Sequence, residues 1–187
     1  KLHIKKINSF KNTTDYDKIF NYQCLCQISL KLKANFMLYL RLFPDPTLRK
    51  KALEVTDFTK IAEKTTQMLA IMKDNKGVGL AANQVGLLER VFVMQLNDSV
   101  PQIFVNSIII QSSIEKFRYE EGCLSLPGIT ASVSRAKTIT LKWQDLDEVF
   151  HEEQFEDLAS TCIPHEIDHL DGILFPDRTH ALTSQKL

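Results

Sequence analysis

The segment His165-Glu166-Ile167-Asp168-His169 restricts the fold and the chemistry of this chain more than any other feature of its sequence. Residues four apart on an α-helix lie on the same face, with about 5–6 Å between their Cβ atoms, so two histidines at this spacing can reach one metal ion. Glu166, next to the first histidine, suits a general base beside the open coordination position of the ion. The pattern predicts a helix of a hydrolytic metalloenzyme.

A catalytic metal site needs three protein ligands and one open position, so a third ligand must come from elsewhere in the chain. Cys123 follows a glycine and could present a thiolate. Cys162 precedes His165 by three residues, and we interpret it as a small buried side chain. Asp177 follows a proline and is expected in a loop. These residues leave the third ligand open, and two histidines at this spacing also occur by chance on ordinary helices.

The residues before Gln84 predict one amphipathic helix followed by a loop. Thr56 or Asp57 offers an N-cap, and the apolar residues that follow recur at three and four positions over about 15 residues. Gly77 and Gly79 are expected to stop this helix and to open a loop that runs to Gln84. The helix is expected to belong to the core.

The rest of the chain predicts a sheet and a second helix. Branched and aromatic residues indicate strands at 90–94, 103–106, 108–110 and 138–143. A final helix is expected to begin near Phe155 and to run through His169 to Leu170, with Gly172 as its stop. The fold class is therefore α+β, with strands between two helices.

Charge and length divide the chain into two regions. Residues 1–36 carry seven Lys and two Asp and contain no Gly or Pro, which predicts an N-terminal extension, either an arm or a targeting segment. Residues 37–187 are expected to form a single catalytic domain, because this length suits one hydrophobic core. They carry 16 basic and 21 acidic residues, which argues against binding DNA along a basic face.

Apolar runs and cysteine spacing argue against two further classes of protein, those that span a membrane and those built on a disulfide framework. The apolar runs are far shorter than the roughly 20 residues that a membrane-spanning helix needs, so no membrane partner is expected. Four cysteines, at 24, 26, 123 and 162, have no spacing typical of a disulfide framework. Free or metal-bound thiols in a reducing compartment fit this pattern better.

Three segments together resemble the signature of the peptide deformylase family, and they occur in the family's order. They are Gly77-Val78-Gly79-Leu80-Ala81-Ala82-Asn83-Gln84, Glu121-Gly122-Cys123-Leu124-Ser125 and His165-Glu166-Ile167-Asp168-His169. The similarity spans residues from about 37 to 179. It implies a peptide-deformylase-like fold, with small mixed or antiparallel sheets packed around a C-terminal metal-binding helix. It also implies a metal-dependent hydrolase that removes the N-formyl group from the N-terminal formyl-methionine of newly made polypeptides, releasing formate.

The resemblance also implies roles for individual residues. Cys123, His165 and His169 would hold one divalent ion, with Fe(II) implied by the family and Zn, Ni or Co also suited to this donor set. Glu166 would transfer the proton. Gln84 and Leu124 are also implied as catalytic residues: the Gln84 side-chain amide and the Leu124 backbone N–H would donate hydrogen bonds to the oxyanion.

Further residues are expected to border the substrate or to support the metal helix. Gly77 and Gly79 lack a Cβ and would let an extended substrate approach, beside Val78 and Gly122. Val78, Leu124 and Ile129 would form walls for the methionine side chain. The resemblance also implies an ion pair between Arg135 and Asp168 that would steady the metal helix.

The expected partners follow from the substrate. N-formyl-methionyl nascent polypeptides would bind the site, and the ribosome would be a transient neighbour. The expected location is the bacterial cytoplasm, with an organelle as the alternative if residues 1–36 are a targeting segment.

Two residues depart from the family pattern, and they leave open alternatives to an active deformylase. Pro164 stands where the family usually has Gln, and a proline inside a helix costs about 3 kcal/mol unless the helix begins at 163 or kinks there. Asp157 stands where a glycine is frequent. The alternatives are a catalytically impaired relative that binds nascent N-termini and another metallo-amidase, but intact Glu166 and Gln84 favour the enzyme.

Overall fold

A computed structural model describes residues 37–97 and 99–179, so the predictions for residues 1–36, including the Cys24 and Cys26 thiols, lie outside the described part. Within the described residues, two α-helices and seven strands follow in the order α1 (Phe58–Asp74), β1 (Gly79–Ala81), β2 (Val91–Met94), β3 (Gln102–Ser112), β4 (Lys116–Cys123), β5 (Leu126–Ala136), β6 (Thr138–Gln144), β7 (Phe150–Glu156) and α2 (Ala159–Leu170). Short 3-10 helices lie at Pro46–Arg49, Ala82–Val85 and Phe175–Arg178. Neither α1 nor α2 is long and apolar enough to cross a membrane.

Helix α1 forms where its capping residue and apolar spacing predict it. The Asp57 side chain accepts a hydrogen bond from the Lys60 backbone N–H at 3.4 Å, which satisfies one free donor of the first turn. The buried residues recur at three and four positions: Phe58, Ile61, Thr65, Met68 and Met72. Burial of this stripe against the sheet stabilises the helix more than its intrinsic propensity does.

Two antiparallel sheets surround the second helix. The larger has five strands in the order β1-β2-β3-β6-β7, and the smaller is the β4-β5 hairpin. Strand β6 alternates as a half-buried strand should, with Ile139, Leu141 and Trp143 facing the core. Phe104 of β3 stacks on Phe92 of β2 with ring centroids 4.6 Å apart. The predicted α+β class is confirmed.

Helix α2 is enclosed by the rest of the domain. Every residue from Ser160 to Leu170 is buried, and the helix packs against β1, β2, β5 and β7. Pro164 lies inside the helix, which begins at Ala159 and not at 163, so the Ser160 carbonyl four residues earlier receives no helical N–H from residue 164. Packing on all sides maintains the helix despite this lost bond.

The predicted start of this helix near Phe155 is wrong. Phe155 lies in β7, where it pairs with Ile139 of β6 and is buried. Asp157 then adopts a left-handed backbone with φ 54° and separates the strand from the helix. Asp reaches this region more readily than most side chains, which explains how it occupies a position suited to glycine.

The structure corrects the sequence predictions in three further places. The expected loop before Gln84 contains β1 and the 3-10 helix Ala82–Val85. The two strands predicted at 103–106 and 108–110 are one strand, β3, whose pairing with β6 shifts register at two points. The sequence did not predict β4, β5 and β7, because these strands carry many exposed polar residues and lack the apolar alternation of β6.

Candidate metal centre

Three donor side chains converge between helix α2 and the β4-β5 hairpin. His165 and His169 lie one helical turn apart, and their rings meet edge to face with centroids 4.9 Å apart. Cys123 ends β4, where the pairing with β5 shifts register after Gly122. Its sulfur lies 3.1 Å from His169 Nε2, and the ligand atoms of all three residues lie within 4.8 Å of one another. The hairpin therefore brings the third predicted donor to the helix.

A buried carboxylate orients the first histidine. Glu121 Oε2 lies 2.8 Å from His165 Nδ1, which leaves Nε2 of this ring available to the donor cluster. Arg135 binds Glu121 with both ends of its guanidinium, at 2.7 and 3.0 Å, and binds Asp168 at 2.7 Å. Arg178 donates to both oxygens of Asp168, from Nε to Oδ2 and from Nη2 to Oδ1. Arg135 and Asp168 thus form the expected ion pair.

The role of Glu121 was missed from the sequence, although a signal was present. Burial raises the pKa of its carboxyl, but hydrogen bonds from His165 and Arg135 outweigh burial and lower the pKa below its usual value. Glu121 therefore stays ionised within the core. It stands two residues before Cys123, and residues two apart in a strand share a face. That spacing could have placed it beside the donor cluster.

The carboxylate of Glu166 lies beside the three donors in a buried environment. Its side chain is 3% exposed, and Oε2 has no hydrogen-bond partner among the described residues. Burial raises the pKa of Glu166 to about 7; the charge of Glu121 adds to this effect, and His165 opposes it. A carboxyl that titrates near neutrality can both accept and return a proton.

The residues of the centre fit a divalent cation. A thiolate and two imidazoles are a donor set for zinc or iron, and three protein ligands leave one coordination position open. Burial disfavours a charged His165 ring, yet contacts with Cys123 and Glu121 raise its pKa to about 10, whereas burial and the charge of His165 lower the pKa of His169. Within the described range, His169 Nδ1 and Glu166 Oε2 are buried without a partner.

Gln84 is held with its amide group toward the donors. Its Oε1 accepts a hydrogen bond from the Ala81 backbone N–H at 2.8 Å, which fixes the orientation of the side chain. Its Nε2 donates to Ser125 Oγ at 3.1 Å and lies 3.5 Å from the Cys123 sulfur. Ser125 is fully buried, and the sequence interpretation assigned it no role. Leu124 directly follows Cys123 in the hairpin turn.

A cavity of about 390 Å³ opens onto this centre. Residues expected near the substrate or the reacting atoms line it: Gly77, Val78, Gly79, Gln84, Gly122, Cys123, Leu124, His165 and Glu166. Tyr119, Leu158 and Thr161 extend its wall. Ile129, expected as a wall for methionine, packs against the small core around Leu48 and Leu126.

A buried group of one cysteine and two histidines beside a carboxylate is typical of hydrolytic metalloenzymes, and the known proteins that this chain matches are enzymes of that class. Residues 37–185 match the family model described as polypeptide deformylase. Peptide deformylase 1 of Shewanella oneidensis is 44% identical over 150 residues, covering 78% of this chain and 88% of that protein. The peptide deformylase of Zymomonas mobilis is 41% identical over 148 residues, covering 74% and 84%.

A solved structure agrees with these matches. The crystal structure of peptide deformylase from Thermotoga maritima superposes with a TM-score of 0.73 at 41% identity, covering 76% of this chain and 97% of that one. The chain belongs to the polypeptide deformylase family, whose members remove the N-formyl group from nascent polypeptides. The predicted family, fold class, enzyme class and reaction are confirmed.

Proposed function

We propose that Cys123, His165 and His169 hold one divalent metal ion and that Glu166 transfers the proton in hydrolysis of the N-formyl group. The observation that carries this proposal is the convergence of three ligand atoms within 4.8 Å of one another beside a buried carboxylate. When bound, the ion would supply a Lewis acid that polarises the formyl carbonyl and lowers the pKa of water.

In this mechanism Glu166 accepts a proton from the attacking water at its carboxylate. The formyl carbon becomes tetrahedral, and its oxygen gains negative charge. The Gln84 Nε2–H and the Leu124 backbone N–H donate to that oxygen; each such donor contributes about 2.7–4 kcal/mol in enzymes where it has been removed. Glu166 then returns its proton to the departing nitrogen, which breaks the C–N bond and leaves formate and a free amine.

The neighbouring residues supply orientation and binding in the same proposal. Arg135 and Asp168 steady helix α2, and the contact of Arg135 with Glu121 supports this role. Four residues border the substrate in this proposal, because they line the cavity: Gly77, Val78, Gly79 and Gly122. Removal of a residue that orients a metal ligand in this way typically lowers metal affinity or activity by about 10–100-fold.

Fe(II) is the metal that we propose, with Zn, Ni and Co as alternatives that suit the same donors. We further propose residues 37–187 as the single catalytic domain and nascent formyl-methionyl chains as the partner, with the ribosome as a transient neighbour. A cytoplasmic location follows from this substrate, or an organelle if residues 1–36 act as a targeting segment. Fractionation of cells that express the full chain would distinguish these locations.

Formate release from an N-formyl-Met-Ala-Ser peptide tests the proposal. The protein is purified anaerobically and loaded separately with Fe(II), Zn, Ni and Co, and metal content is measured for each sample. We expect release that is fastest with Fe(II) and that falls at least about 10²-fold in Glu166→Ala, the lower range for general acid–base catalysis. Glu156→Ala, an exposed carboxylate of β7, is the matched control and should retain full activity.

Two results would contradict the proposal. Unchanged activity in Glu166→Ala would remove the assigned proton carrier. No release by a chain that binds one metal ion would favour a binding protein for nascent N-termini or an amidase for another acyl group.

A further inference from the structure

Gly79 occupies a position where the backbone does not require glycine. It lies in β1, in extended conformation, and its φ is not in the left-handed region. Glycine weakens a strand because it gains no packing and loses more conformational freedom than any other residue on folding. A glycine inside a strand often marks a place where another group approaches closely. The reason for a glycine at position 79 must therefore lie in the groups that surround it.

The group that approaches Gly79 is the carboxylate of Glu166. A Cβ built on Gly79 would overlap Glu166 Oε1 and would lie 2.9 Å from Glu166 Cδ. It would also lie 2.9 Å from the Cys162 sulfur, and real Cβ atoms essentially never show contacts under 3.0 Å. A Cβ on Gly77 would instead meet mainly the Leu124 side-chain tip, at 2.6 Å, which can move.

The room into which Glu166 could withdraw from such a contact lies on the side of the cavity that it lines. The Glu166 side chain is 3% exposed, and its neighbours on α2, from Ser160 to Leu170, are all buried. Close-packed interiors respond to an added methyl by shifts of side chains and backbone. A side chain at position 79 would therefore move the Glu166 carboxylate itself.

We infer that Gly79 is a positioning residue for the reaction, because its missing side chain leaves the space in which the Glu166 carboxylate sits beside the metal centre. The inference rests on the proposed role of Glu166. It adds to the expectation that Gly79 admits the substrate: this residue lines the cavity but is buried, whereas Val78 beside it is 44% exposed.

A double-mutant cycle tests the inference without depending on activity. The melting temperature is measured by circular dichroism for the metal-loaded wild type, Gly79→Ala, Glu166→Ala and the double variant. We expect Gly79→Ala to lower the melting temperature by about 3–8 °C, the range for an overpacked core site in a domain of this size. In the Glu166→Ala background the same substitution should cost less than half as much.

Kinetics of the metal-loaded enzyme with N-formyl-Met-Ala-Ser supply the second measurement. We expect Gly79→Ala to lower kcat by about 10²-fold, as a misplacement of roughly 1 Å can, with KM changed less than about threefold. A raised KM with unchanged kcat would overturn the inference, since it would show a substrate contact.

Two further variants separate the causes. Gly122→Ala is the control for stability, because its Cβ would meet nothing closer than 3.7 Å, and its melting temperature should stay within about 2 °C of wild type. Cys162→Ala in the Gly79→Ala background should leave most of the kcat loss in place. Recovery of kcat by Cys162→Ala would overturn the inference.

The two proposals fail in distinguishable ways. Equal losses of melting temperature in the wild-type and Glu166→Ala backgrounds would overturn the inference, whether or not the protein hydrolyses formyl peptides. Absence of activity in the wild type would contradict the proposed function alone. If Gly79→Ala does not fold, rescue of folding by Glu166→Ala but not by Cys162→Ala supports the inference, and the reverse overturns it.

Discussion

Replacement of Glu121 by Gln should destabilise the protein more than any comparable change of a surface carboxylate. The Glu121 side chain is 3% exposed and accepts three hydrogen bonds, two from Arg135 at 2.7 and 3.0 Å and one at His165 Nδ1 at 2.8 Å. Gln has nearly the same volume, so no cavity complicates the comparison. Its amide has a single oxygen, so its NH2 group must face either the guanidinium or the imidazole, both of which are donors.

The magnitude follows from the number and type of these contacts. Hydrogen bonds to charged groups contribute about 1.5–3 kcal/mol and neutral ones about 0.5–1.5, so the loss of the carboxylate charge weakens each of the three bonds by about 1 kcal/mol, or about 3 kcal/mol together. Breaking one side of a buried ion pair costs about 3–5 kcal/mol, which agrees. Asp168 still pairs with Arg135 in the variant, which favours the lower end of this range of free energies. The melting temperature should fall by about 6–12 °C in a domain of this size.

Thermal unfolding followed by circular dichroism measures the stability, and titration with Zn measures metal affinity. We expect affinity to fall about 10–100-fold, because His165 loses the carboxylate that orients it. Glu115→Gln is the matched control: Glu115 pairs with Lys137 at 3.2 Å, but the two side chains are 70% and 57% exposed, so the loss should be below about 1 kcal/mol. Equal effects of the two variants would refute the reasoning.

Two other variants test the metal helix and the cap of α1. Pro164→Ala should raise the free energy of unfolding by about 1–3 kcal/mol, because it restores the N–H that can bond the Ser160 carbonyl; a lower melting temperature would contradict this. Hydrogen bonds from Lys60 and Thr59 lower the pKa of Asp57 from its ordinary 3.8 to about 2. The stability from this carboxylate is therefore fully present above about pH 4 and is lost as the pH falls through about 2. Asp57→Asn keeps a capping oxygen but cannot titrate. The wild type should therefore lose its advantage in melting temperature over this variant as the pH falls from about 4 to about 2. A difference in melting temperature that stays constant over this pH range would contradict the prediction.

Local patterns determined the two helices at different levels of detail. Helix α1 was predicted with its N-cap because Asp57 and the apolar stripe both lie within the same segment. Helix α2 was predicted at its metal-binding end, where the histidines repeat at one turn, but not at its start. Phe155 belongs to β7 because it pairs with Ile139, a contact over 16 residues of chain that no local period contains.

The polar strands illustrate why the hairpin could not be predicted. Strands β4 and β5 carry mostly exposed side chains and are held by backbone pairing with each other. Such pairing leaves little trace in the order of apolar and polar residues. The hairpin nevertheless supplies both the third donor and the carboxylate that orients His165.

The sequence by itself determined the family, the α+β class and the pair of histidines on one helix face, because these depend on motifs and on spacing within short segments. Only the tertiary structure brought Cys123 to those histidines, placed Glu121 and Arg135 behind them, and set Gly79 against the carboxylate of Glu166. These contacts join residues 14 to 87 positions apart, and they depend on how the sheet and the hairpin pack around a buried helix.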